Sequence, residues 1–444
     1  MSYQINVKNF GKIKKAKVEV SPLTFFVGDN NSGKSYLLTL LWGLQSEKLI
    51  QVLTRNIEKI DKKYYQDIYD KIKLFVSEAR EPDDEISFDI SEFEGLINQL
   101  LMKNRNMFVQ KLFNSENMSI GKLSVELEKK NRISLSIDDV SEDVICYFAD
   151  YMGADIGQMR SRTEQIVADI LEFMIQRILN ETVIIAEKNI YFPASRTGFL
   201  LAKDSINQTG REKTFTLVLD EEEQKMEPFT MPILHFLNYL DDKELDTDEN
   251  RYQKICDFIE NEVVHGKVVR GGAIQNKVEY IPSSQDIALP MRTSSAVVTE
   301  LVPLLLILKS SKEIGQLCYE EPEMCLHPEL QLQMARILIQ LANLKTNVIA
   351  TTHSDIILQH VNNMCRLAEI EKPDELMERY GLTKDDCIRF QDVSVYQFTN
   401  KGDYSTVKEL KPNEDGFHIP TFSNALLNIL EQTTDIQEYK EQED

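Results

Sequence analysis

Eight residues, Gly28-Asp29-Asn30-Asn31-Ser32-Gly33-Lys34-Ser35, limit most strongly what this chain can fold into. They fit G-x-x-x-x-G-K-[ST] in full. Such a loop needs a buried strand running into it and a helix running out of it, because its backbone N–H groups must curl inward around phosphate oxygens. Both flanks comply. Leu23-Thr24-Phe25-Phe26-Val27 is a nearly continuous apolar run, the mark of a strand buried on both faces. A helix is expected from about Lys34 to Leu44. Lys34 then supplies a point charge to the β- and γ-phosphates of a nucleotide, and Ser35 gives a hydroxyl to Mg²⁺. The start of the helix adds its positive end. Asn30, Asn31 and Ser32 lie between Gly28 and Gly33 and belong to the same cradle.

Three later segments supply what a phosphate cradle lacks. In Leu317-Cys318-Tyr319-Glu320-Glu321-Pro322-Glu323 an acid ends a short strand. There Glu320 can hold the Mg²⁺ shell and Glu321 can polarise a water for attack on the γ-phosphate. In Asn347-Val348-Ile349-Ala350-Thr351-Thr352-His353 a strand ends beside a histidine, and His353 can reach the γ-phosphate and hold the attacking water. Arg292-Thr293-Ser294-Ser295-Ala296 opens a helix with Ser at its N-cap. One reading is a plain cap; the other is an anion-binding helix end offered to a nucleotide held by another subunit.

The fold class follows from the order of elements. Two strands joined by the basic turn Gly11 to Lys15 open the chain, and strands alternate with helices from 266 to 351. That alternation predicts α/β architecture with a mainly parallel sheet. Residues 49 to about 110 are helical in pattern with one break at Glu81-Pro82-Asp83-Asp84, and 118–138 reads as strands. Thr163 to Ile178 carries a broad apolar helix face. The sequence ends its clear alternation at Thr351.

Composition narrows the partners. Fifty Lys and Arg stand against 72 Asp and Glu, a net charge of -22, which excludes a generally basic nucleic-acid coat. The basic run Lys12, Lys14, Lys15 and Lys17 reads as a solvated turn. Six scattered cysteines without a CxxC pair indicate reduced thiols in core segments and no zinc site. The N-terminus shows no apolar leader, and Leu301 to Leu308 falls far below the roughly 20 residues of a membrane span. No membrane contact and a cytoplasmic location are expected.

In chain order the four segments resemble the ABC-type ATPase head of SMC and RecF-like proteins. The stretch Glu320 to Pro328, two acids, a proline, an acid and then Leu-His-Pro, is similar to the OLD-like branch, as is Pro193-Ala194-Ser195-Arg196-Thr197-Gly198. The resemblance implies a P-loop head with a mainly parallel sheet, an antiparallel β subdomain and helical inserts. It divides the chain into head segments at 1–48, 183–202 and 263–432, a mostly helical insert with short strands at 49–182, a helical insert at 203–262 and an acidic tail at 433–444. It also implies a head-to-tail homodimer, or higher homo-oligomer, with ATP and Mg²⁺ at the joint. Gly28, Gly33, Lys34 and Ser35 would hold phosphates and metal, Glu320 would support the metal, and Glu321 would be the general base. His353 would be the switch histidine, and Ser294, Ser295 and Ala296 the signature that meets the partner's γ-phosphate. Gln45 and Arg196 are the candidates for the family's glutamine-loop position.

OLD-like proteins often carry a Toprim nuclease. No E-G…DxD set of acids follows His353, and Asp246-Thr247-Asp248 reads as a solvated loop in the second insert. Asn276-Lys277-Val278-Glu279 resembles the guanine-reading N-K-x-D but ends in Glu. The chain thus resembles the ATPase of anti-phage systems such as Septu and PARIS, a sensor and scaffold for a separate effector, a nuclease, set off by a phage-derived trigger. The alternative is a RecF- or SMC-like DNA-repair ATPase acting directly on DNA.

Overall fold

The structure is a computed structural model. It describes residues 3–54, 57–78, 84–128, 132–137, 143–148, 151–158, 163–180, 188–202, 229–241, 250–270, 278–310, 313–419 and 429–437. Strands β1 (Tyr3–Phe10), β2 (Ile13–Glu19) and β3 (Leu23–Gly28) open it. There follow β4 (Glu85–Asp89), β5 (Ile120–Leu127), β6 (Arg132–Ile137), β7 (Asp143–Phe148), β8 (Tyr151–Gln158) and β9 (Lys188–Phe192). Next come β10 (Gly266–Arg270), β11 (Val278–Pro282), β12 (Leu289–Pro290), β13 (Ile314–Glu320), β14 (Asn347–Thr351), β15 (Val393–Asn400) and β16 (Ser405–Leu410).

The main sheet has nine strands in the order β5-β1-β2-β16-β15-β3-β14-β13-β9. From β15 to β9 every neighbour is parallel. The rest forms an arm, antiparallel except where β16 meets β2. This is the expected α/β head, mainly parallel at the centre with an antiparallel β part. Two smaller antiparallel sheets, β4-β6-β7-β8 and β10-β11-β12, stand apart from it.

Strand β3 explains the apolar run. All six of its residues are buried. Phe26 packs into one core with Leu37, Leu38 and Trp42 of the Lys34–Leu44 helix and with Ile349 and Phe398. Leu23, Phe25 and Val27 pack into a second core with the Ala296–Ser310 and Pro328–Asn343 helices. A strand covered on both faces has no polar side to show, so its sequence does not alternate. Because β15, β3, β14, β13 and β9 share one direction, their C-terminal ends lie along one edge, where α/β sheets bind ligands.

Several elements depart from the sequence expectations. Helices Glu47–Thr54, Gln66–Glu78 and Glu94–Phe113 occupy most of 49–110, but β4 interrupts them at Glu85–Asp89. Only Phe88 of β4 is buried, too little for an alternation signal. Strand β5 lies within 49–182, yet it pairs with β1 and so extends the main sheet. Strand β15 lies beyond Thr351, where the clear alternation was expected to end, and it is the immediate neighbour of β3. Cys256, Cys318 and Cys365 are buried, whereas Cys325 is exposed and Cys387 half-buried instead of in the core. Asp246-Thr247-Asp248, Asn276 and Lys277 lie outside the described residues. No helix among the described residues is long and apolar enough to cross a membrane.

Gly28 is where β3 and β15 come closest. Its φ is +114°, and a Cβ there would stand 2.0 Å from the Phe398 carbonyl oxygen. Both the backbone conformation and the space require glycine. Gly28→Ala is expected to destabilise the fold by about 3 kcal/mol or more, measured as a lowered urea midpoint. An unchanged midpoint would show that β3 and β15 part easily.

Candidate active site

The P-loop is tied to the sheet on both sides. Asp29 N donates to Phe398 O at 3.1 Å, Asn400 N donates to Asp29 Oδ2 at 2.7 Å, and Asn400 Nδ2 donates to Asn30 O at 2.9 Å. Inside the loop, Ser32 Oγ donates to Asp29 O at 2.7 Å, and Asn31 takes a left-handed φ of 54°. Gly33 has φ +98°, and a Cβ on it would meet Ile13 Cγ1 at 2.8 Å, so β2 roofs the loop. The first intrahelical bond is Leu37 N to Gly33 O, 3.0 Å. The N–H groups of the first turn have no carbonyl partner within the helix and are suited to an anion. Ser35, in that turn, is exposed.

Lys34 is buried, and its Nζ donates to Gly28 O at 3.0 Å and Asp29 O at 2.7 Å. Burial lowers its pKa to about 8, opposed by the charges of Glu321, then Asp29 and Glu323. The lysine therefore lies within the field of both the P-loop and the β13 acids. His353 completes the group: its pKa is lowered, first by desolvation and then by the charge of Lys34.

The strand register makes this convergence. Glu320 pairs with Thr351, and Thr351 with Phe26, across three adjacent parallel strands. Glu320 Oε1 accepts from Tyr191 Oη at 2.7 Å, and Oε2 accepts from Ala194 N at 2.9 Å. Tyr191 Oη also lies 3.0 Å from Thr39 Oγ1. Burial, with the nearby Glu320, pushes the Tyr191 pKa well above its usual value, so this phenol stays protonated and donating. Each Glu320 oxygen keeps a lone pair for the water shell of a cation. A hydroxyl from Ser35 and a carboxylate from Glu320 are hard oxygen donors, which fits Mg²⁺.

Glu321 has a φ of 44°, uncommon for a residue with a side chain. Its N–H donates to Thr351 O at 3.0 Å and lies 3.2 Å from Thr351 Oγ1. Its carbonyl accepts from Arg196 Nη2 at 2.8 Å. Such over-determination is what holds a residue in a sparsely populated conformation.

Glu323 had no assigned role in the sequence, where it is one acid in a run. Its Oε1 accepts from His353 N at 2.6 Å and its Oε2 from Thr352 Oγ1 at 2.9 Å, so it fixes the start of the histidine segment. Desolvation raises its pKa. Tyr191 was likewise unassigned; only its place in a short strand before Pro193 marked it.

Two predicted groups make no hydrogen bond to the lysine. Gln45 is the C-cap of the P-loop helix, 11 residues long. At 1.5 Å per residue that is roughly 18 Å from Gly33. Its Nε2 is buried without a partner. Ser294, Ser295 and Ala296 make local bonds within their own segment. Ser294 Oγ lies 3.4 Å from Pro290 O, and Val298 N donates to Ser295 Oγ at 3.4 Å, which makes Ser295 the cap.

A family model described as AAA ATPase domain matches residues 1–358. No curated protein matches. Three solved structures are similar at low levels. A crystal structure of an SMC head bound to the C-terminal winged-helix domain of ScpA is 13% identical, covering 92% of this chain and 97% of that one, at a TM-score of 0.38. The SMC head domain from Thermotoga maritima is 12% identical, covering 93% and 100%, at 0.32. A head with extended coiled coil from Pyrococcus furiosus, bound to the C-terminal domain of ScpA, is 13% identical, covering 97% and 98%, at 0.35.

The lowered Lys34 pKa gives nucleotide binding a pH dependence. The charged form attracts phosphate; it dominates below about pH 7 and is lost as pH rises through about 8. Bound phosphate favours the charge, so affinity is expected to fall up to about tenfold per unit above pH 8. Titration with a fluorescent ATP analogue from pH 7 to pH 9.5 measures this, and a flat profile would remove Lys34 from the phosphates.

Proposed function

Because the chain belongs to the family of AAA ATPase domains, we propose that it binds ATP with Mg²⁺ and hydrolyses it between two copies of itself. The observation that carries the reading is the convergence of Glu321, Asp29, Glu323 and His353 on Lys34 at the ends of adjacent parallel strands. Lys34 and the first-turn N–H groups hold the β- and γ-phosphates. Ser35 and Glu320 would hold Mg²⁺, which would supply charge neutralisation to the phosphates. Glu321 takes the proton of the attacking water, and His353 holds the γ-phosphate side. Ser294, Ser295 and Ala296 meet the nucleotide of the second copy, which is supported by their partial or full exposure at the start of a helix. Each copy thereby supplies half of a pocket, and ATP closes the pair.

On that footing the protein acts as an ATP-driven sensor and scaffold for a separate effector, a nuclease, in anti-phage defence, responding to a phage-derived trigger. Support comes from the Glu320 to Pro328 sequence, which resembles the OLD-like branch. Glu321→Gln is expected to lower kcat by about 100-fold or more while ATP accumulates on a closed dimer. Lys34→Ala is expected to weaken nucleotide binding. Light scattering and bound-nucleotide analysis check both, and hydrolysis at the parent rate by Glu321→Gln would overturn the base assignment.

One observation favours the second reading, a repair ATPase touching DNA directly. Lys8 is paired with Lys15 on β2 and with Lys122 on β5, and all three are exposed. Like charges directly opposite one another cost stability, so a row of three is a local exception in an acidic protein. If this face carries DNA, duplex binding should weaken by about 10³-fold between 50 and 200 mM salt. It should also be lost in a Lys8→Glu, Lys15→Glu, Lys122→Glu variant. Absence of any salt-sensitive binding would leave the scaffold reading alone.

A further inference from the structure

Arg196 and Glu300 are 0% and 1% exposed, yet both are charged residues. Arg196 opens the short Arg196–Ala202 helix after β9, and Glu300 is the fifth residue of the Ala296–Ser310 helix. The two form an ion pair. The guanidinium does more than pair. Its Nη1 donates to Pro193 O at 3.1 Å and to Glu320 O at 2.7 Å, and its Nη2 donates to Glu321 O at 2.8 Å. Its carbon lies 4.7 Å from the Tyr319 ring centroid. Thr197 Oγ1 donates to Glu300 Oε2 at 2.6 Å. One planar cation thus joins the β9 loop, the helix behind Ser294–Ala296, and the main chain of two consecutive acids.

We propose that Arg196 and Glu300 form a positioning pair that couples the Ser294–Ala296 helix end to Glu321, so that the general base is set only when that helix end is seated. This inference rests on the ATPase reading above and assigns its internal linkage. Arg196 is fully buried, and it acts on the Glu320 and Glu321 carbonyls. Glu321 has a left-handed backbone, and bonds to both its N–H and its carbonyl fix the main chain from which its carboxylate projects. Two parallel N–H donors suit two successive carbonyls, a match that a lysine ammonium cannot reproduce. A buried ion pair is a poor way to gain stability alone, since apolar side chains of similar volume often serve as well. The fit of this pair to the acids gives it a different use. Movement of the Ala296–Ser310 helix shifts Glu300, Glu300 carries the guanidinium, and the guanidinium carries the Glu321 carbonyl.

The test compares full-length parent, Arg196→Lys, Glu300→Gln and the double variant Arg196→Met with Glu300→Met, each checked by thermal melting. Steady-state ATPase is measured with Mg²⁺, and Lys34→Ala is the control. Variants that melt as the parent does are expected to keep KM within about threefold while kcat falls at least about tenfold. A role confined to holding the fold would instead lower the melting temperature on substitution and leave the kcat of the folded protein unchanged. Folded variants with kcat within about twofold of the parent overturn the pair while leaving the ATPase reading intact. Parent activity that survives Lys34→Ala overturns the ATPase reading and the pair with it. If the double variant does not fold, Arg196→Lys and Glu300→Gln decide by the same criteria.

Discussion

The contact between Gly28 and the Phe398 carbonyl underlies the rest of the structure. A glycine at φ +114° lets β15 come against β3 with no side chain between them. That approach places Phe398 O where Asp29 N can reach it and Asn400 where it can hold Asp29 and Asn30. The loop is thereby fastened from the strand side, while Ile13 covers Gly33 from the arm. A phosphate cradle must keep its N–H groups aimed at one point without a ligand to organise them. Here two glycines, one asparagine and two strands provide that aim.

The parallel core turns this local geometry into a site. Parallel strands end together, so the loop after β3, the acids after β13, the histidine after β14 and the arginine after β9 arrive along one edge. Each end is then fixed by a bond from a neighbour. Tyr191 and Ala194 hold Glu320, Thr351 and Arg196 hold Glu321, and Glu323 holds Thr352 and His353. The acids sit close enough to Lys34 to oppose the loss of its charge on burial. A lysine that remains cationic near neutral pH although buried is suited to a triphosphate.

The split between fold and site follows the range of the interactions. The P-loop, the Glu320-Glu321 pair and His353 could be seen in the sequence because each is a short string whose chemistry depends on neighbours in the chain. Strand β14 was legible as a strand ending before His353 because a short apolar run ends at polar residues. Strand β4 was not, since one buried phenylalanine in five residues gives no pattern. Strand β5 was legible as a strand but not as a partner of β1, because pairing partners more than 100 residues apart leave no local mark. Gln45 looked plausible from proximity in sequence, but a helix carries its end away from its start.

What the chain determined by itself is the presence of a strand, a glycine cradle and a lysine at the head of a helix, because φ > 0, a lone cation and an apolar run are properties of single residues and their immediate neighbours. What tertiary structure decided is which groups stand around that lysine. Glu323 became the holder of the histidine segment, Asn400 the clasp of the loop, and Arg196 with Glu300 the bridge between a distant helix and the acids. Each of those depends on strand order and on distances spanning tens to hundreds of residues, which only the packed sheet can set.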